Sequence, residues 1–165
     1  MQKKAFLILL MSLMMSSCAN MGHFKYIMKP EVVIKNELTN QSYEVSQKYK
    51  FKVATVESLS EKRPEITVQV DELFTQYSSC MDVTDNGDAI RKFLIVVVNS
   101  TFVCNYHFGM CNGEYDPENN LIIVSYKAFK RRGTLPLLKH EWAHAYGSLA
   151  ADHSNMDSVV QCIKY

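Results

Sequence analysis

The chain has 165 residues, 47% of them hydrophobic and 21% charged, and a net charge of +1. That length allows one ordinary domain plus a targeting segment, and the composition is that of a globular rather than a disordered protein. The near-zero charge gives no electrostatic reason to expect nucleic acid or an acidic partner.

Residues 1–17 read as a signal peptide. Lys3 and Lys4 form a positive start, and the apolar run from Ala5 to near Met15 is too short to span a bilayer comfortably. Met15-Ser16-Ser17-Cys18 resembles a bacterial lipoprotein signal, in which the cysteine is lipidated and becomes the new N-terminus. The resemblance implies an exported protein held to the cell envelope by acyl chains on Cys18, with Ala19 compatible with the outer membrane and its periplasmic face. An ordinary signal peptide cut near this point is the other reading; it exports the protein too. Residues 18–48 are polar and weakly patterned, with a short Val32-Val33-Ile34 run, and read as a tether plus an early strand or cover segment.

The folded domain is expected over residues 49–165. Phe51 to Val56 alternates and is β-rich, as a strand does. Between Ile66 and Cys80, apolar Val68, Val70, Leu73, Phe74 and Tyr77 fit an amphipathic helix. Asp85-Asn86-Gly87 marks a turn, and Phe93 to Val98 is a continuous apolar run, expected of a strand buried on both faces. Asn112 to Tyr115, Asp116 to Asn120 and Leu121 to Val124 read as strand, turn and strand. With Cys18 assigned to lipid, Cys80, Cys104, Cys111 and Cys162 remain, an even number that suggests two disulfides in an exported protein. Three pairings are possible; the favoured one joins Cys104 to Cys111 and Cys80 to Cys162. The alternative for the 104–111 loop is a cysteine metal site containing His107.

His140-Glu141-Trp142-Ala143-His144 carries the chemistry. Residues four apart share one helix face, so both imidazoles can grip one ion, and Glu141 lies where its carboxylate can reach a water on that ion. Thr134 is a candidate N-cap, Pro136 suits a first helical turn, and Gly147 suits a left-handed C-terminal cap. Leu137, Leu138, Trp142 and Ala145 supply an apolar stripe for burial. A catalytic zinc takes three protein ligands, so a third must come from elsewhere. Downstream candidates are Asp152, His153, Asp157 and Cys162, with His153 preferred and Asp152 second.

His140-Glu141-x-x-His144-x-x-Gly147, followed by Asp152-His153-Ser154 and Asp157-Ser158-Val159, resembles the metzincin metallopeptidases, especially their matrixin-like branch. The resemblance covers roughly the last third of the chain. It implies one catalytic Zn2+ on His140, His144 and His153, with Glu141 as general base. It also implies a substrate cleft beside the hairpin at 112–124, whose edge strand would pair with extended polypeptide. Two departures stand out. The interval from Gly147 to His153 is three residues longer than the family's, and the family's methionine falls near Val160.

The expected fold is α+β: a small twisted mixed sheet, an early packing helix and a late zinc-binding helix. The expected function is zinc-dependent hydrolysis of peptide bonds by a monomer that takes a polypeptide substrate, contacts the membrane only through its lipid and binds no nucleic acid. A non-catalytic envelope lipoprotein with a structural or vestigial zinc site is the alternative, and an amidase acting on cell-wall peptides is a third reading. Tyr115, Tyr126 and Tyr146 are candidates for substrate or oxyanion contacts, though each suits packing equally.

Overall fold

The computed structural model describes residues 42–104, 110–126 and 136–163. The signal segment, Cys18, Val32 to Ile34, His107 and Thr134 lie outside them. In chain order the elements are β1 (Tyr43–Val45), β2 (Lys52–Thr55), a 3-10 turn (Glu57–Lys62), α1 (Arg63–Met81), α2 (Asp88–Arg91), β3 (Leu94–Val98), β4 (Phe102–Val103), β5 (Met110–Cys111), β6 (Gly113–Asp116), β7 (Leu121–Ser125), α3 (Pro136–Ala145) and α4 (Met156–Ile163).

Five strands form one sheet in the order β1-β2-β3-β7-β6, and β4 pairs with β5 apart from it. The central strands β2, β3 and β7 are parallel, while the edge strands β1 and β6 run antiparallel to their neighbours. The fold is therefore α+β with a small mixed sheet. Its middle is the apolar run in β3, where Ile95 to Val98 are all buried. Ile95 and Val97 face the helices, while Val96 and Val98 face a smaller cluster with Phe102, Leu121 and Ile123.

The early strand lies at Tyr43–Val45, so the folded domain takes in residues that the boundary at 49 assigned to the tether. The cause is a buried carboxylate. Asp71 on α1 accepts hydrogen bonds from Ser46 Oγ at 2.6 Å and from the backbone N–H groups of Lys48 and Tyr49 at 2.8 and 3.2 Å. These bonds fix the β1–β2 turn against α1 and hold β1 in register, with Tyr43 opposite Ala54.

The helical layer is organised by rings. Ile66, Val70, Leu73, Phe74 and Tyr77 of α1 are buried at helical spacing. Phe74 meets Phe51 and Trp142 edge-on, with centroids 4.8 and 5.2 Å apart. Through Trp142 and Leu138, α3 becomes part of this core, and Lys139 Nζ donates to Gln76 Oε1 of α1 at 2.9 Å. Cys80–Cys162 ties α1 to α4, and Cys104–Cys111 bridges the β4–β5 pair. Both pairings match the favoured expectation. No helix among the described residues is long and apolar enough to cross a membrane.

Candidate functional site

The end of α3 decides where the site lies. Gly147 has φ of 67°, and the N–H of Ser148 returns to Ala143 O at 2.9 Å while that of Gly147 returns to His144 O at 2.9 Å. This is a Schellman cap, the closure that glycine permits at little steric cost. The chain then turns back past Leu149 to His153. Asn155 clamps this loop on both sides, accepting from the Ala150 N–H at 2.7 Å and donating to Ser148 O at 2.9 Å.

The return brings three imidazoles together. His140 Nε2 is 3.0 Å from His153 Nε2 and 3.2 Å from His144 Nε2, and the ligating nitrogens of the three lie within 4.8 Å of one another. Two nitrogens on one tetrahedral zinc at about 2.05 Å would stand roughly 3.3 Å apart, close to both short distances. His144 Nδ1 faces Leu149 O at 3.1 Å. A carbonyl only accepts, so Nδ1 carries the proton and Nε2 presents its lone pair to the cluster. Leu149 belongs to the stretch that lengthens the Gly147–His153 interval, which thus supplies the group orienting His144. Burial, reinforced by the charges of His144 and His153, holds His140 down at about 4, so its ring is neutral at physiological pH. These three side chains have the donor set and the spacing to hold a metal ion, and His144 has the tautomer for it.

Of the other downstream candidates, Asp152 is exposed and accepts from the Ser154 N–H at 3.0 Å, shaping the loop rather than joining the cluster. Asp157 is exposed on the first turn of α4, and Cys162 is consumed by its disulfide. Cys104 and Cys111 are likewise bonded to each other. His153 is the candidate that the fold brings to the pair on α3.

Glu141 lies beside them, only 5% exposed. Burial first, and then the neighbouring Glu114 carboxylate, push its carboxyl up to about 8, against the backbone N–H that Tyr115 gives it. A cation alongside would reverse that balance and favour the carboxylate. The Tyr115 N–H is available because of strand register. Ser125 N–H bonds to Asn112 O at 2.7 Å, so Glu114 and Asp116 direct their backbone groups at β7, while Gly113 and Tyr115 direct theirs outward over α3.

The β5–β6 edge and α3 wall a cleft of about 520 Å³. The three histidines and Glu141 line it with Met110, Tyr115, Pro117, Leu137, Ala151 and the Cys104–Cys111 disulfide. Its walls are mainly apolar, with the polar groups converging at one place, the usual constitution of a small-ligand or peptide site. Tyr115 is the one tyrosine of the three candidates that lines it. Tyr146 instead donates to Asp85 Oδ1 at 2.7 Å, and Tyr126 lies under Lys62 Nζ. The chain matches no protein-family model, no curated protein and no solved structure.

Gly113, Glu114 and the Leu149 carbonyl belong to the site without a signal in the sequence. Gly113 and Glu114 precede the motif by more than twenty residues, and their approach depends on strand register. A backbone carbonyl leaves no mark in a sequence at all.

Proposed function

We propose that this protein is an exported zinc metalloendopeptidase, matrixin-like among the metzincins, that hydrolyses polypeptides. The convergence of His140, His144 and His153 beside the buried Glu141, in a cleft walled by an edge strand, supports this reading best. A structural zinc normally takes four protein ligands, and among the described residues this cluster offers three, which favours an open position for water.

Held by the three Nε2 atoms, a zinc ion would supply Lewis acidity, polarising a carbonyl and making a nearby water more acidic. The chain's own groups do the remaining work. Glu141 takes a proton from the attacking water on its carboxylate and delivers it to the amine nitrogen as the peptide bond breaks. The N–H of Tyr115 holds that carboxylate in place. Leu149 O keeps His144 in the tautomer that presents Nε2. The cleft between the β5–β6 edge and α3 would receive an extended peptide, giving weak, sequence-tolerant binding. Two disulfides suit an oxidising compartment, in keeping with export.

Glu141→Gln tests the reading. The variant should keep its zinc, while hydrolysis of an unstructured protein such as casein should fall on the order of 100- to 10,000-fold. Unchanged hydrolysis by the zinc-loaded variant would overturn the role given to Glu141.

A further inference from the structure

Gly113 stands opposite Val124 in the β6–β7 ladder, and its φ is not positive. Backbone conformation therefore does not demand glycine there. Space does: a Cβ built on Gly113 would lie 2.5 Å from Glu141 Oε1, 3.2 Å from its Cδ and 3.4 Å from its Cγ. The first distance is far inside van der Waals contact. Gly113 is thus the position at which the edge strand touches the carboxyl group of Glu141, and its missing side chain leaves the place where that carboxyl rests.

We propose that Gly113 is a positioning residue for the Glu141 carboxylate, an inference that rests on the hydrolytic reading given above. An added methyl cannot be relieved by the strand. β6 is held by its ladder to β7, and two residues earlier Cys111 is bonded to Cys104. The mobile partner is the end of the glutamate side chain, which turns about its own single bonds. Relief there moves the oxygen that handles the proton. The same strand supplies the Tyr115 N–H to that carboxylate, so a turned side chain also loses its hydrogen bond. Small misplacements of a reacting group cost rate on the order of 100-fold while leaving the ligands of a metal untouched. Gly113 therefore couples a strand 28 residues away in sequence to the group that moves the proton.

The test is Gly113→Ala in the full chain, with zinc content, a crystal structure and casein-peptide kinetics measured beside the parent. The expected variant binds zinc like the parent, shows the Glu141 carboxyl displaced by about 1 Å or more, and loses kcat on the order of 100-fold with KM little changed. Glu141→Asp without the added methyl, which retracts the carboxyl by its own shortening, should keep zinc and lose kcat to a similar degree. A purely structural role for Gly113 would lower stability with the Glu141 carboxyl left in place. A carboxyl that stays in place in the G113A structure, or a parental kcat, overturns the proposal. A parent that cleaves no peptide defeats the hydrolytic reading separately, because the displacement is read without turnover and still decides whether Gly113 sets the carboxyl's position.

Discussion

On one side of α3, Leu138, Trp142 and Ala143 are buried among Phe51, Phe74 and Tyr77, in contacts that any well-packed core would provide. On the other, His140 lies 3.0 Å from His153 and 3.2 Å from His144, nitrogen to nitrogen, and Glu141 sits buried beside a second carboxylate. The first arrangement removes apolar surface from water and stabilises the fold. The second gathers groups that gain little from one another in the absence of a cation, since neutral imidazoles share at best one hydrogen bond per pair and a buried carboxyl resists ionising. One helix thus carries its stability on one face and a cluster suited to a ligand on the other. The contrast supports a functional rather than a packing role for the histidines.

If the stability lies on the core side, breaking that side should produce the largest losses. Replacing both Cys80 and Cys162 with serine opens a crosslink of 82-residue separation, which chain entropy values at about 4.5 kcal/mol. Urea denaturation of the oxidised parent and the paired variant measures this. A loss under about 1 kcal/mol would mean that α4 and the loop before it are held by packing alone. Trp142→Ala should cost about 3 to 5 kcal/mol by emptying the centre of the ring cluster, while leaving both histidines on the same helix. A small loss there would mean that the core side of α3 does not carry the helix's stability.

A smaller effect belongs to Asp85, a polar anchor of the same side. Burial pushes its carboxyl up, but the N–H groups of Ala89 and Gly87 and the Tyr146 hydroxyl outweigh this and hold it below the usual value. A carboxyl depressed by folding contributes stability above its unfolded pKa and loses it as pH falls through the lower, folded one. The parent should therefore lose stability below about pH 4. Asp85→Asn should be less stable than the parent at neutral pH and should lack that acid-sensitive part, as thermal melts at pH 7 and pH 3 will reveal.

Much of the fold was legible because its elements carry strong local patterns. The apolar run of β3, the hairpin turning at Asp116 to Asn120 and the α1 spacing each announce one structure. The early strand expected within 18–48 had no legible position, because β1 has three residues, two of them exposed large hydrophobics, and depends on Asp71 some twenty-five residues later. The same division runs through the site. His140, Glu141 and His144 sit on one helix at readable spacing, and His153 follows as the suitable ligand beyond a glycine. That His153 and not Asp152 reaches the pair depends on how the loop clamped by Asn155 folds back. Long-range register brings Gly113 to Glu141, and no local pattern encodes it.

The most direct test of the central claim is zinc content, measured on purified, folded protein never exposed to chelator, beside its His153→Ala variant. Close to one zinc per chain in the parent, with the metal lost from a variant whose metal-free stability differs by less than about 1 kcal/mol, is the predicted result. No zinc in the parent, or zinc retained in full by the variant, would contradict the three-histidine site.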